Sequence, residues 1–128
     1  MATWKQIREY ARSRYKLQDD EDDNFTLVWG FEDGRSQLVQ VNLFEAFERP
    51  WIEFLSACCD EDDLDKGKAL RKNGKLGCGA LVLDQGRYYL RYTHPIDTMD
   101  LEELEVPLRA LAIAADQIEA EYAGDDAH

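Results

Sequence analysis

The sequence has no apolar run near the ~18 residues that a membrane-crossing helix needs. Its first residues, Met1-Ala2-Thr3-Trp4-Lys5, lack the apolar core of a secretory signal. Cysteine is sparse and odd in number, 3 residues in 128, which argues against a disulfide scaffold and for a reducing, cytoplasmic setting. Cys58 and Cys59 are adjacent and, on a strand, would point to opposite faces, while Cys78 stands between two glycines. All three read as buried, inert thiols. Positive charge is short as well, with 15 Lys and Arg against 27 Asp and Glu and a formal net charge of -12. Such a surface repels phosphates, which excludes a nucleic-acid binder.

Chemistry-bearing groups are equally few. There are 2 histidines, and His94 is the single candidate base, since His128 ends the chain. No Gly-x-Ser-x-Gly elbow, phosphate loop, Cys-His pair or His-x-x-x-His pair accompanies it. Gly77-Cys78-Gly79 is too short for a dinucleotide fingerprint. The acidic run Asp19-Asp20-Glu21-Asp22-Asp23-Asn24 fails as a calcium loop, because Asn24 stands where glycine is required and Gly30 where glutamate is. It reads as a solvated, self-repelling loop. No catalytic residue, metal ligand or cofactor is expected.

What the chain has is ordinary globular patterning, with 45% hydrophobic and 33% charged residues, in one domain spanning 1–128. Thr3 and Gln6 match a capping box, and Trp4, Ile7, Ala11 and Tyr15 follow at helical spacing, predicting a helix over 4–15 with a basic outer face. Phe25, Leu27, Trp29 and Phe31 alternate along a strand, Asp33-Gly34 predicts a type I′ turn, and 36–44 returns. In that return strand Val39, Val41 and Leu43 share one side, and Leu38, Gln40 and Asn42 the other. Residues 51–59 carry both a helical stripe and a strand-starting Pro50, and we read a strand. A short helix precedes Asn73-Gly74. Ala80 to Leu83 then pair through the Asp84-Gln85-Gly86-Arg87 turn with a strand that turns Tyr88, Leu90 and Tyr92 to one face. Leu101, Leu104, Leu108, Leu111, Ala115, Ile118 and Tyr122 mark a final acidic helix, broken near Pro107. Gly124 ends it, leaving 123–128 frayed.

The predicted fold is therefore α+β, an antiparallel five-stranded sheet with helices in the order α-β-β-β-α-β-β-α. Ala80, Leu81, Val82 and Leu83 leave their strand no polar face, so it needs cover on both sides. The last helix supplies one cover, and the second is a binding clue. The termini differ in sign: residues 1–16 carry Lys5, Arg8, Arg12, Arg14 and Lys16 against Glu9, whereas residues 97–128 carry many acids against Arg109. Packed together, they would attract.

Ala69-Leu70-Arg71-Lys72-Asn73-Gly74-Lys75-Leu76, then Gly79 to Leu83, Tyr89-Leu90-Arg91 and Leu101 to Leu104, resembles the C-terminal half of type III secretion chaperone-like domains and the related YbjN-type domains. The resemblance covers about residues 64 to 122, and the first half agrees in element order. It implies an acidic cytoplasmic homodimer that binds a non-globular segment of another protein on apolar patches. The candidate contact residues are Phe44, Phe47, Trp51, Leu81, Leu83, Tyr89 and Arg91. A second expectation is a YbjN-like regulatory or ligand-sensing domain, with Trp29, Phe44, Trp51 and Tyr89 lining a pocket.

Overall fold

A largely apolar inner face decides this fold. In the computed structural model, which describes residues 2–123, every helix packs on one side of a single antiparallel sheet. Helix α1 (Trp4–Arg14) starts at the capping box the sequence announces: Gln6 N–H donates to Thr3 Oγ1 at 3.2 Å and Thr3 N–H to Gln6 Oε1 at 3.0 Å. It buries Ile7 and Ala11 and stacks Trp4 on Phe25. Strands β1 (Lys16–Asp20), β2 (Asn24–Gly30), β3 (Ser36–Ala46) and β4 (Arg49–Asp60) form a meander. Helix α2 (Lys66–Asn73) leads to β5 (Ala80–Asp84) and β6 (Arg87–Pro95), and the sheet order is β1-β2-β3-β4-β6-β5.

The sheet has six strands, not the predicted five, and the order is α-β-β-β-β-α-β-β-α. The extra strand is β1, taken from a stretch whose acids read as a repelling loop. Its inward Asp20 is held by Arg8 at 3.2 Å and Arg12 at 2.6 Å. The guanidinium of Arg12, then that of Arg8, keeps this carboxyl below its usual range. The basic face of α1 thus neutralises the start of the acidic run. Asp20→Asn removes both ion pairs, so amide exchange over 16–20 should quicken while that of β3 and β4 stays unchanged. The same loosening should appear in the unaltered protein as pH falls through the lowered pKa of Asp20.

The turns also depart from expectation. Only Gly34 (φ 91°) has positive φ in the β2–β3 loop, and Phe31 N–H bonds to the Arg35 carbonyl at 2.9 Å. This is a three-residue loop closed by a left-handed glycine, not a type I′ turn. Asp33 prefers to accept from the Arg35 N–H at 3.0 Å and from its Nε at 2.8 Å. Positive φ at both central residues occurs instead at Gln85-Gly86 and at Phe47-Glu48.

Helix α3 (Glu105–Ile118) lies over β3, β4 and β6 and buries Leu108, Leu111, Ala112 and Ala115. The final segment is not one helix. Leu101–Leu104 winds as a 3₁₀ turn, and Glu119–Ala123 as a π turn that includes Ala123. Pro107 sits in the first turn of α3, where its missing N–H costs nothing. The rest of the predicted tail lies outside the described residues.

The two ends of the chain meet only in part: Arg14 pairs with Glu105 at 3.4 Å, and Lys72 of α2 meets Glu121 at 3.5 Å. Among the described residues, Gly79 is the one glycine that close approach to backbone and core requires. At φ 82°, a Cβ there would sit 3.0 Å from both the Arg91 carbonyl oxygen and Leu111 Cδ1. Gly79→Ala should cost about 1–3 kcal/mol, measured by urea denaturation.

Candidate binding surface

The inner face carries Phe25, Leu27, Val41, Ile52, Phe54 and Leu90, each at most 1% exposed. On the opposite face none of the described strand residues is buried. Strand register resolves the middle of that outer face into four rows. The first is an apolar band: Val28 pairs with Leu38, Ala57 with Tyr89, and Tyr89 with Val82. Leu38 and Ala57 are tied where the β3–β4 ladder ends, because Ser56 Oγ donates to the Leu38 carbonyl at 2.6 Å and Gln37 Nε2 to the Ala57 carbonyl at 2.9 Å. The next row mixes Thr26, Gln40, Leu55, Arg91 and Ala80.

A polar divider follows. Asn42 Nδ2 donates to Glu53 Oε1 at 2.8 Å, and Arg91 Nε donates to the other oxygen of the same carboxylate. Beyond it lies an aromatic end. Phe44 stacks on Trp51 at 6.1 Å, Phe47 leans on Trp51 at 6.2 Å, and the Arg91 guanidinium lies 5.9 Å from the Phe44 ring centre. Trp51 Nε1 donates to the Ala46 carbonyl at 2.8 Å, which fixes the indole. These side chains, with Ala46 and Thr93, border a groove of about 240 Å³.

Backbone geometry adds weight to this end. Phe47 (φ 54°) and Glu48 (φ 62°) hold a two-residue turn in the left-handed region without glycine or asparagine. A bulky residue is strained there, and Phe47 is 86% exposed. A strained turn thus presents an aromatic ring to solvent.

Charge is distributed unevenly between the outer face and the rest. The face carries Lys16, Arg49, Arg87 and Arg91 against Asp19, Glu53, Asp60 and Asp84, in balance within a chain of net charge -12. The acids are concentrated elsewhere.

Of the sequence-derived contact residues, Phe44, Phe47, Trp51 and Arg91 come together, and Tyr89 shares their face in the apolar band. Leu81 does not: it is 7% exposed and on the inner face, where the paired register sets it beside Leu90. Leu83 faces the same way at the hairpin end, 39% exposed. β5 is an edge strand covered on one flank, with Val82 on the open side. Its free edge is closed at Leu81 by the Asn73 amide, which accepts from the Leu81 N–H at 2.6 Å and donates to its carbonyl at 3.3 Å. Leu38, 44% exposed, its row partners Val28, Ala57 and Val82, and Leu55 of the next row were missed.

The four-aromatic pocket is not assembled. Trp29 lies on the inner face against Tyr15 at 5.6 Å, apart from the stacked Phe44 and Trp51. His94 Nδ1 lies 2.7 Å from the Pro95 carbonyl oxygen and shares a 330 Å³ cavity with Tyr92, Met99, Glu103, Val106 and Pro107. Among the described residues no group of three or more His, Cys, Asp or Glu could hold a metal, and no helix is long and apolar enough to cross a membrane.

Cys58 and Cys59 are both buried, 1% and 3% exposed, instead of splitting between faces. A β-bulge between Ala57 and Cys59 turns both inward. Burial pushes the Cys58 thiol up to about 12 and the Cys59 thiol up to about 11, and burial also raises Cys78. At pH 8 a thiol reagent should therefore modify half-buried Cys78 first, with Cys58 and Cys59 far slower than in unfolded protein. Rapid labelling of either would contradict this packing.

No protein-family model matches the sequence, and no curated protein sequence matches it. In shape, a chain in the solved structure of the HopA1-SchA chaperone-effector complex is similar, with a TM-score of 0.65 and 12% identity, over 88% of this chain and 89% of that one. The likeness is one of fold.

Proposed function

We propose that this chain is a non-enzymatic protein-binding module that works as a homodimer and holds a non-globular segment of a partner protein. The observation that carries the reading is the uncovered outer sheet face, ending in the Phe44–Phe47–Trp51 cluster around a strained turn. Exposed rings rigidly held over a groove are what an extended segment needs for anchoring, since burying one large apolar side chain contributes about 1.5–3 kcal/mol. Strain at Phe47 and Glu48 is a standing cost to the free protein that a bound partner would justify. Two further facts support the reading. The fold is that of a chain in a chaperone-effector complex, and residues 64 to 122 resemble type III secretion chaperone-like domains.

The test is selection from a phage-displayed library of fifteen-residue peptides on immobilised protein, followed by fluorescence anisotropy with the enriched peptides. A Phe44→Thr/Trp51→Thr variant keeps β propensity while removing both rings, so it should retain the fold and bind at least about tenfold more weakly. Selection that enriches nothing, or binding indifferent to the double substitution, would overturn the reading.

A further inference from the structure

Two apolar patches share the outer face, and the Asn42–Glu53–Arg91 network separates them. The aromatic end suits a segment of a partner. The band across the sheet has a different character. It is straight, runs over five strands, and has the small side chain of Ala57 at its centre, between Leu38 and Tyr89. Val28 and Val82 flank these on either side.

We propose that this band is where a second copy of the chain docks, face to face and reversed about Ala57. The proposal rests on the homodimer reading above and adds its surface and orientation.

Three observations select a second copy as the occupant. First, two chains of net charge -12 repel wherever acids dominate, and the outer face, with four bases against four acids, is where they can approach without that repulsion. Second, the band is self-complementary on reversal. Leu38 meets Tyr89 of the other copy and Val28 meets its Val82, each large residue flanking the indentation at Ala57, as a twofold interface requires.

Third, the charges at the two ends are opposite in sign. Lys16 pairs in register with Val28 at one end, and Asp84 lies two residues beyond Val82 at the other. Neither has an ion-pair partner among the described residues. Reversal brings Lys16 of each copy toward Asp84 of the other, whereas the unreversed arrangement would set like charges together.

Sedimentation velocity and native mass spectrometry over about 1–100 µM test this. The wild-type protein should be a dimer at the upper end. Leu38→Glu, at an exposed position with little cost to the fold, should weaken dimerisation at least about tenfold. Lys16→Glu alone and Asp84→Lys alone should each weaken it by about threefold. The Lys16→Glu/Asp84→Lys double variant should return to within about twofold of wild type. Val106→Glu, exposed on the far side of the molecule, should change nothing.

A wild-type monomer throughout would overturn both this proposal and the homodimer reading. A wild-type dimer indifferent to Leu38→Glu, or one dissociated by Val106→Glu, would overturn the proposed surface alone. Failure of the charge swap to restore dimerisation would overturn the reversed orientation.

Discussion

Phe54→Ala should destabilise the protein by about 3–5 kcal/mol, the cost of a large ring removed from a packed interior that cannot close over the space. Phe54 is fully buried at the middle of β4, beside Tyr92 of β6 at 5.9 Å and beneath α3. Its neighbours along the same strand, Ile52 and Ser56, also point inward, so the cavity would open at the sheet's centre. Natural domains of this size have about 5–15 kcal/mol in hand, so the variant should show a much lower urea midpoint and be partly unfolded at physiological temperature. Leu55→Ala, one residue along on the outer face, is the control. It should cost far less, because Leu55 is only half-buried in the monomer. Similar losses at the two positions would mean that the outer face is covered after all.

Phe47→Asn should move stability and binding in opposite directions. Asparagine tolerates left-handed backbone far better than phenylalanine, so relief at φ 54° should stabilise the free protein by about 0.5–1 kcal/mol, visible as a raised Tm. The ring that leans on Trp51 disappears with it, and affinity for a selected peptide should fall at least about tenfold. A residue kept for folding alone would not behave this way. If the variant loses stability, the turn is not strained, and if it binds peptide as before, Phe47 is not part of the contact surface. The combination of higher Tm and weaker binding is the signature of a position held for function.

Much of the fold is legible because local and global preferences agree. Thr3 with Gln6, Asn73-Gly74 at the end of α2, and the alternation of Phe25 and Leu27 all lead to the elements observed. β4 is legible as a strand in spite of its helical stripe, since Ile52, Phe54, Ser56 and Cys58 alternate inward. β1 is not legible, because Lys16 to Asp20 holds one apolar residue and gains its place from Arg8, Arg12 and the edge of β2. Nothing in Phe47-Glu48 announces positive φ, and nothing in the adjacent cysteines announces a bulge.

The candidate surface divides in the same way. Its aromatic end stands out in the sequence as Phe44, Phe47 and Trp51. The apolar band does not, because Leu38 follows Ser36 and precedes Gln40 and Asn42 on what reads as a polar side. It becomes a band only beside Val28, Ala57, Tyr89 and Val82, contributed by four other strands, and that needs the sheet order. Leu81 was misplaced for a related reason: four consecutive apolar residues do not say which face is which.

Hydroxyl-radical footprinting with and without a saturating selected peptide tests the central claim most directly, that contact is made through the open sheet face. The account predicts protection of Phe44, Phe47 and Trp51, with Trp29, Phe31 and Val106 on the other side unchanged. Protection of Trp29, Phe31 and Val106, with Phe44, Phe47 and Trp51 oxidised as before, would contradict it.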